Sequence, residues 1–226
     1  MSLGRALELA ESALGQAYPN PTVGAVVVAN GQVAGEGVTE AYGGRHGEVV
    51  ALGRPFVTYK AAVTLDGSTT LPGERWITGE ESRRLVHELR AASDAVAVGG
   101  GTARIDRPEL TARAVETPRG QPRRLVFGAA LPEGLDLELR NGPIEQELRA
   151  LAAEGVQSLL LEGGPTLAAS FLAAGLVDRL LVFVAPRLAG DGSGLAAALP
   201  EPLRLVRLEA RPVGEDVLLS AYLREP

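Results

Sequence analysis

The sequence contains no cysteine and only two histidines among its 226 residues. The missing thiols exclude disulfide bonds and zinc sites with cysteine ligands. An excess of basic residues is missing too, because the net charge is −6, which argues against a general nucleic-acid-binding surface. No apolar run reaches the ~18 residues that a membrane-spanning helix needs. The N-terminus shows no basic segment followed by an apolar core, so we expect no signal peptide and a cytoplasmic protein.

The chain does contain enough apolar residues to build a core. Their share of 46% is ordinary for a globular protein. The length suits one medium-sized domain, or one domain with an appendage.

One stretch, residues 156–167, combines a buried strand with the start of a helix. Its apolar run is typical of a buried parallel strand, and Gly163 and Gly164 then turn the chain. Pro165 takes the first position of the predicted helix. Such a turn leaves backbone N–H groups free to bind a phosphate, with the carboxylate of Glu162 beside them. A tight turn with a capping acid is the alternative interpretation.

Strands alternate with helices over the larger part of the chain, which predicts a mainly parallel α/β sheet with helices on both faces. A capping box of Thr78 and Glu81 predicts that one helix begins at Thr78. The predicted strands are 56–65, 95–98, 123–127, 156–161, 178–185, 203–210 and 216–223, and the predicted helices are 78–92, 143–153 and 166–174.

Ligands of an open α/β sheet bind outside the carboxyl ends of its strands. Polar or glycine-rich turns follow Val98, Phe127 and Leu161. The turns 99–102 and 163–166 can approach phosphate oxygens closely, but neither is a G-x-G-x-x-G fingerprint. The sequence therefore does not predict a Rossmann dinucleotide fold.

The first 52 residues have a different character. Residues 3–14 are predicted to form a helix, and 23–28 and 32–38 a hairpin turned at Asn30-Gly31. A two-stranded hairpin is marginal alone, so we expect it to pack on the rest of the chain or on a partner.

Two stretches of this part, residues 19–25 (Pro-Asn-Pro-Thr-Val-Gly-Ala) and His46-Gly47-Glu48-Val49, resemble a known family. They are similar to the zinc-dependent, cytidine-deaminase-like domain of bifunctional riboflavin-biosynthesis deaminase–reductases. In that family the His is a zinc ligand, the Glu shuttles protons, and a Cys pair completes the metal site. This chain has no cysteine and passes directly from Leu52 to Gly53. We therefore expect a truncated deaminase remnant over 1–52, without metal or deaminase activity, and a reductase domain over 53–226.

Residues 54–224 resemble the reductase domain of the same family, which has a dihydrofolate-reductase-like fold. The shared motifs occur in family order and spacing: Arg54-Pro55-Phe56, Lys60, Leu65-Asp66-Gly67, Trp76-Ile77-Thr78, Leu89-Arg90-Ala91, Ser93-Asp94-Ala95, Gly101-Thr102, Asp106, Pro108, Leu110-Thr111, Arg113, Glu162–Thr166 and Gly175–Asp178.

The resemblance implies that NADPH reduces the ribosyl group of 5-amino-6-(5-phosphoribosylamino)uracil to ribityl in riboflavin biosynthesis. This reaction opens the sugar to an imine, delivers hydride to C1′ and requires a proton for the ring oxygen. Two alternatives stay open: a pterin or dihydrofolate reductase of the same fold, and a non-catalytic subunit with a decayed deaminase. The partner implied is a small phosphorylated pyrimidine, with neither nucleic acid nor membrane. We also expect a homodimer, because strand 178–185 and the hairpin look like surfaces that need covering.

The resemblance also implies site residues. Lys60, Asp106 and Glu162 are the expected catalytic groups, with Asp106 near C1′ and the nicotinamide and Glu162 on the substrate side. The expected substrate-binding residues are Glu74, Arg90, Leu110 and Arg113, of which the two arginines match phosphate geometry. The expected cofactor contacts are Ala62, Trp76, Thr102, Asp106, Gly128, Gly164, Pro165, Thr166, Leu167, Ala168, Ala169 and Ser170.

Each residue also has a plainer interpretation. Lys60 could be a solvated strand residue, Arg90 a cation that complements the helix dipole, and Asp106 a turn initiator. Two positions depart from the family pattern: Glu74 replaces a small polar residue and would repel a phosphate unless it turns away, and Arg107 replaces a second acid.

Overall fold

The computed structural model describes residues 2–12, 23–29, 32–38, 51–190 and 194–224. The described residues form two compact units, one from 1–56 with 145–157 and the other from 57–144 with 158–226. The boundary predicted at residues 52 and 53 stays a prediction. His46 and Glu48 lie outside the described residues.

The described elements are the helices α1 (Ser2–Ser12), α2 (Glu80–Ala92), α3 (Gly100–Asp106), α4 (Ile144–Ala153) and α5 (Pro165–Ala173), and the strands β1 (Gly24–Ala29), β2 (Gln32–Val38), β3 (Phe56–Thr64), β4 (Ala95–Gly99), β5 (Arg123–Phe127), β6 (Glu138–Arg140), β7 (Ser158–Leu161), β8 (Arg179–Ala185), β9 (Val206–Val213) and β10 (Asp216–Tyr222). None of these helices is long and apolar enough to cross a membrane.

In the first unit, β1 and β2 pair antiparallel, as the hairpin prediction requires. The pairing joins Gly24 to Val38 and shifts by a bulge between Val27 and Val28. The Asn30-Gly31 turn itself lies outside the described residues.

The second unit contains an eight-stranded sheet in the order β6-β5-β4-β7-β3-β8-β10-β9. The pairs β6–β5, β5–β4, β4–β7 and β3–β8 are parallel, whereas β10 and β9 are added antiparallel. The mainly parallel α/β prediction is therefore confirmed.

Neighbouring residues of β5 show that helices cover both faces of the sheet. Val126 lies in a buried cluster against which Leu89 of α2 packs. The next residue, Phe127, points to the opposite face and meets Phe171 of α5 edge-on, with ring centroids 5.3 Å apart. Lys60 pairs in register with Leu181, which packs in a second cluster with Val86 of α2. Lys60 therefore lies on the α2 face of the sheet.

Two local predictions were wrong, and one strand was missed. The Thr78–Glu81 capping box is not formed, because Gly79 is the N-cap of α2 and makes no side-chain cap bond. In the turn predicted at 99–102, Gly99 ends β4 and the following residues begin helix α3, which continues to Asp106. The short strand β6 was missed because its residues, Glu-Leu-Arg, show no apolar alternation.

The packing argument for a homodimer was also wrong in one part. β8 needs no covering partner, because it lies between β3 and β10 and most of its residues are buried.

Candidate active site

Three glycine-containing segments follow the carboxyl ends of β5, β4 and β7, which are neighbours in the sheet: a turn at Gly128, the start of α3 at Gly100, and a turn at Gly163 and Gly164. A Cβ added to Gly128 would lie 3.3 Å from the Cα of Gly100, and one added to Gly164 would lie 3.3 Å from Oγ1 of Thr102. The sheet thus brings together Thr102, Gly128 and Gly164, three of the predicted cofactor contacts.

The β7–α5 turn matches the interpretation drawn from its sequence. Gly164 is the N-cap in extended conformation, Pro165 opens the helix, and no side chain caps it. Gly163 leaves little space for a side chain, because a Cβ there would lie 2.9 Å from Cδ2 and 3.2 Å from Cβ of Leu167, which would have to shift. The uncapped helix start offers backbone N–H groups and the positive end of a dipole to an anion.

Within the predicted cofactor segment 165–170, only part of the side chains can reach a ligand. Ala168 and Ala169 are buried in the fold. Thr166 and Ser170 are exposed, and the Ser170 hydroxyl donates to the Thr166 carbonyl at 3.1 Å. A ligand at this turn would therefore meet mainly backbone.

A buried ionic group joins β3, the end of β7 and α2. The Glu162 carboxylate accepts two bonds from Arg90, Nε to Oε1 at 2.6 Å and Nη2 to Oε2 at 2.9 Å. The Nζ of Lys60 lies 3.9 Å from Glu162 Oε2. The side chains of Lys60, Arg90 and Glu162 are 16%, 13% and 9% exposed, so solvent screens these charges little. We call these three residues the ionic triad.

The ionic triad shifts the protonation of its members. Burial lowers the pKa of Lys60, the Arg90 charge adds to this, and the Glu162 charge opposes it. Burial alone would raise the pKa of Glu162, but the hydrogen bond from Arg90 and the two neighbouring cations lower it below its usual range. Glu162 is therefore held ionised, while Lys60 gives up its proton more readily than an exposed lysine.

Lys60 is the chain's single lysine, and the other basic residues are all arginine. It does not lie at an edge, because β3 runs between β7 and β8. The interpretation of Lys60 as a solvated edge residue was therefore wrong. Ala62 lies two residues on, on the same face, and pairs in register with Phe183.

Asp106 is not part of the ionic triad. It is the exposed last residue of α3, and Arg107 follows in the left-handed region with a φ of 43°. Among the hydrogen bonds and ion pairs of the described residues, none joins Asp106 to Lys60 or Glu162. The structure thus brings together two of the three predicted catalytic residues.

The predicted substrate-binding residues fall in different environments. Arg90 already donates to Glu162 and, through Nη1, to the Thr111 carbonyl at 3.1 Å. Leu110 buries its side chain in the core and has a φ of 56°, so only its backbone can face a ligand. Arg113 is half exposed and pairs with Glu109.

Glu74 and Trp76 lie together near a set of arginines. Both carboxylate oxygens of Glu74 accept from Arg187, which removes much of the repulsion expected towards a phosphate. The Trp76 ring is 51% exposed, and the guanidinium carbons of Arg75 and Arg83 lie 5.0 and 5.5 Å from its centre. Sequence reasoning missed Arg187, which comes from a distant loop without a local signal.

Sequence reasoning also gave no role to His87. The residue lies one turn before Arg90 on α2 and contacts the segment 111–113. The i, i+3 spacing of His87 and Arg90 was the available signal. Among the described residues no cluster of histidine and acidic side chains could hold a metal ion.

Residues 55–219 match the family model described as the RibD C-terminal domain. The chain belongs to this family. Its relatives include riboflavin biosynthesis proteins and a pyrimidinone phosphate reductase, and as a RibD C-terminal domain protein the chain is an oxidoreductase.

Two relatives set the degree of similarity for this RibD-type chain. It is 43% identical over 162 residues to the riboflavin biosynthesis protein RibD of Corynebacterium ammoniagenes, and the match spans 66% of this chain and 48% of that protein. It is 33% identical over 212 residues to the 2,5-diamino-6-ribosylamino-4(3H)-pyrimidinone 5′-phosphate reductase of Methanothermobacter thermautotrophicus, covering 74% of this chain and 97% of that enzyme.

Solved structures share the RibD-type fold. Acinetobacter baumannii RibD is 22% identical, with a TM-score of 0.69 and 97% of each chain covered. The riboflavin biosynthesis reductase Rib7 of Saccharomyces cerevisiae is 20% identical, with a TM-score of 0.58 over 75% of this chain and 90% of that chain.

Proposed function

We propose that this chain uses NADPH to reduce the ribosyl group of 5-amino-6-(5-phosphoribosylamino)uracil to ribityl. The observation that supports this most is the buried ionic triad beside the glycine-containing segments that follow β5, β4 and β7. NADPH would supply the hydride to C1′ when bound. The start of α5 after Gly164 has no side-chain cap, so its backbone N–H groups could bind a phosphate of the cofactor.

Lys60 is proposed as the proton donor to the ring oxygen. Opening the sugar breaks the C1′–O4′ bond, and O4′ must then gain a proton. A lysine can lose its proton in a protein, whereas an arginine cannot. A chain that otherwise uses only arginine has its one lysine at this buried position, where the proposed reaction needs a transferable proton.

Glu162 and Arg90 are proposed to position Lys60 rather than to transfer protons themselves. Arg90 holds the carboxylate by two bonds and so fixes the oxygen that faces Lys60. Of the two arginines predicted to bind the phosphate, Arg113 is therefore the exposed one. Arg90 could offer a ligand only those N–H groups that do not bond to Glu162 or Thr111. Asp106 is kept as a proposed cofactor contact at the end of α3.

A second candidate substrate is the pyrimidine that has not been deaminated. The Methanothermobacter relative, matched over 97% of its length, is named for that diamino compound. The alignment with Aquifex aeolicus RibD spans 340 residues, more than this chain contains, so that protein has internal segments without a counterpart here. The loss of these segments supports the proposal that a deaminase part is missing.

The experiment is NADPH oxidation by the intact chain with the deaminated compound, the diamino compound and dihydrofolate in parallel. We expect turnover of a phosphoribosylamino-pyrimidine, with Lys60→Arg reduced at least about 100-fold because it keeps the charge but loses the transferable proton. Turnover of dihydrofolate alone would favour the pterin reductase. NADPH binding without any turnover would favour the non-catalytic subunit.

A further inference from the structure

His87 sits at the join between α2 and the segment 109–113, outside the ionic triad. The backbone N–H of Arg113 donates to its Nδ1 at 3.2 Å. The carbonyl oxygen of Thr111 lies at the same distance from the same nitrogen. One ring nitrogen thus faces a donor and an acceptor two residues apart.

The two contacts demand opposite states of Nδ1. Accepting from the Arg113 N–H requires a free lone pair, so the imidazole is neutral with its proton on Nε2. A proton on Nδ1 would instead donate to the Thr111 carbonyl and leave the Arg113 N–H without its acceptor. That carbonyl already accepts from Arg90, so the charged imidazole would also meet a guanidinium at the same oxygen.

The surrounding charges favour the neutral ring. The groups that face it are Arg90 on α2, Arg113 on the segment and Glu162 after β7. Burial and the charge of Arg90 lower the pKa of His87, and the opposing effects of Thr111 and Glu162 do not outweigh them. The geometry and the charges therefore agree on a neutral acceptor at neutral pH.

The segment is also held at Ala112. Gln121 donates to the Ala112 carbonyl at 2.9 Å and accepts from its N–H at 2.8 Å. Leu110 just before it has a positive φ of 56°, a conformation that a non-glycine residue adopts only under restraint from its surroundings. His87 provides the hold on Arg113 itself.

We propose that His87 is a positioning residue that fixes the backbone of Arg113 through its unprotonated Nδ1, and that protonation releases this hold. The inference rests on the proposed function in one respect, since it assigns the held segment to binding the substrate phosphate. The ligand class is a sugar phosphate monoester, which Arg113 reaches only when its backbone is fixed.

The test compares His87→Asn, His87→Leu and the control Glu88→Gln on the intact chain. Asn can place a neutral acceptor oxygen near the Nδ1 position, Leu cannot, and Glu88 is an exposed neighbour on the same helix. For Leu we expect the KM for the sugar phosphate to rise about fivefold with kcat and the KM for NADPH unchanged, the size expected for one lost hydrogen bond. The Asn and Glu88 variants should match the wild type at neutral pH.

The pH profile separates positioning from simple packing. Because the pKa of His87 is lowered from its ordinary value of 6.5, the wild-type KM should rise only at a more acidic pH than 6.5, relative to His87→Asn, which lacks the titrating ring. Ionisation of the substrate phosphate affects both proteins equally and cancels in this comparison. An Asn variant as impaired as the Leu variant, or a Leu variant with the wild-type KM and pH profile, would overturn the proposal.

Amide hydrogen exchange over 109–115 tests the hold without any turnover. After correction for the intrinsic pH dependence of exchange, we expect lower protection factors in His87→Leu and in the wild type at acidic pH, and wild-type protection in His87→Asn at neutral pH. Equal exchange in all three proteins would refute the positioning role even if the enzyme is active. If the exchange results are as expected but the chain turns over no substrate, the contact of His87 with Arg113 is supported and only the proposed function is rejected.

Discussion

At the scale of single residues, the ionic triad is unbalanced, because two cations share one carboxylate. Removing that carboxylate leaves Lys60 and Arg90 buried side by side without a counter-charge. For Glu162→Gln we expect kcat/KM to fall at least about 100-fold and the protein to lose about 3 kcal/mol of stability. Steady-state kinetics and denaturant unfolding measure the two effects.

The matched control is Glu145→Gln. Glu145 pairs with Arg149 on the surface of α4, where both side chains are more than half exposed. Such a pair contributes less than about 1 kcal/mol. Equal losses in the two variants would show that the ionic triad has no special role.

Lys60 should oppose folding while it serves catalysis. Its pKa is lowered in the fold, so the folded state disfavours the charged form of the side chain. In the unfolded chain Lys60 stays charged up to a pH near its ordinary pKa of 10.5. The charged lysine therefore lowers stability at pH 7, and this loss recovers as the pH rises towards that value. We expect Lys60→Met to abolish turnover but to unfold at the same or a higher temperature, with the gain shrinking at alkaline pH. A lower unfolding temperature at every pH would contradict this account.

Asp66 should shape the acid limb of the stability curve. It accepts from the Thr64 hydroxyl and from the backbone N–H groups of Ala189 and Gly190, which lower its pKa from 3.8 to about 2. A lowered carboxyl pKa gives stability that is present above pH 3.8 and is lost as the pH falls to about 2. We expect Asp66→Asn to be less stable than the wild type at neutral pH and to lose less stability as the pH falls from 3.8 to about 2.

Denaturant midpoints over a pH series measure this effect. Asp136→Asn is the control, because Asp136 is almost fully exposed and forms a surface ion pair with Arg124. An acid limb equally steep in Asp66→Asn and the wild type would rule out the assignment.

At the scale of the elements, the start of α2 depends on a residue from the far end of the chain. A carboxylate oxygen of the buried Asp216 accepts from the N–H of Gly79 at 2.9 Å and from the hydroxyl of Ser82 at 2.5 Å. Asp216 opens β10 and thus caps the helix across the fold. Because α2 carries Arg90 and His87, this cap also sets their height above the sheet.

Removing this cap should therefore affect both stability and activity. For Asp216→Ala we expect a loss of about 2 kcal/mol, or about 4–8 °C in unfolding temperature, from the lost cap and the buried donors left without a partner. Turnover should fall as well. Calorimetry of this variant beside Glu215→Ala, its exposed neighbour, measures the effect, and similar unfolding temperatures for the two would refute it.

The elements also show what local patterns can predict. The apolar runs of β4, β5 and β8 identified them as strands, and Pro165 marked the first residue of α5, because burial and backbone geometry act locally there. The Thr78–Glu81 capping box failed because Asp216 of β10 caps the start of α2 instead, and it lies 137 residues from Gly79 along the chain. β6 was missed because its stabilising contacts are charged, with Arg123 and Arg140 around Glu138.

At the scale of the whole molecule, the site is a product of strand order. Glu162 and Lys60 were predicted as site residues, but their contact depends on β7 and β3 becoming neighbours, which no local pattern specifies. The same order aligns the glycine-containing segments after β5, β4 and β7. Arg90 was interpreted as a phosphate ligand because a guanidinium matches phosphate geometry. Its bonds to Glu162 could not be predicted, because they form only when α2 packs over that face. Residue types were thus predictable from the sequence, whereas their pairing required the topology.

The proposed homodimer now rests on β9, the outer strand of the sheet. Leu208 on this strand is 65% exposed and Val217 on β10 is 41% exposed. An open sheet edge with exposed apolar residues favours pairing with another chain. The charges of Arg207, Glu209 and Arg211 alternate in sign, so an antiparallel copy centred on Leu208 or Ala210 would place Glu209 opposite an arginine.

We therefore expect the wild type to sediment as a dimer and Leu208→Lys to shift it towards the monomer, because a buried lysine at the centre of the pairing carries an uncompensated charge. Leu188→Lys is the control, since Leu188 is 72% exposed but lies outside the edge strand. Sedimentation over a range of protein concentrations measures both variants. A wild-type monomer mass that is independent of concentration would remove the dimer, and a Leu208→Lys protein that remains dimeric would place the interface on another surface.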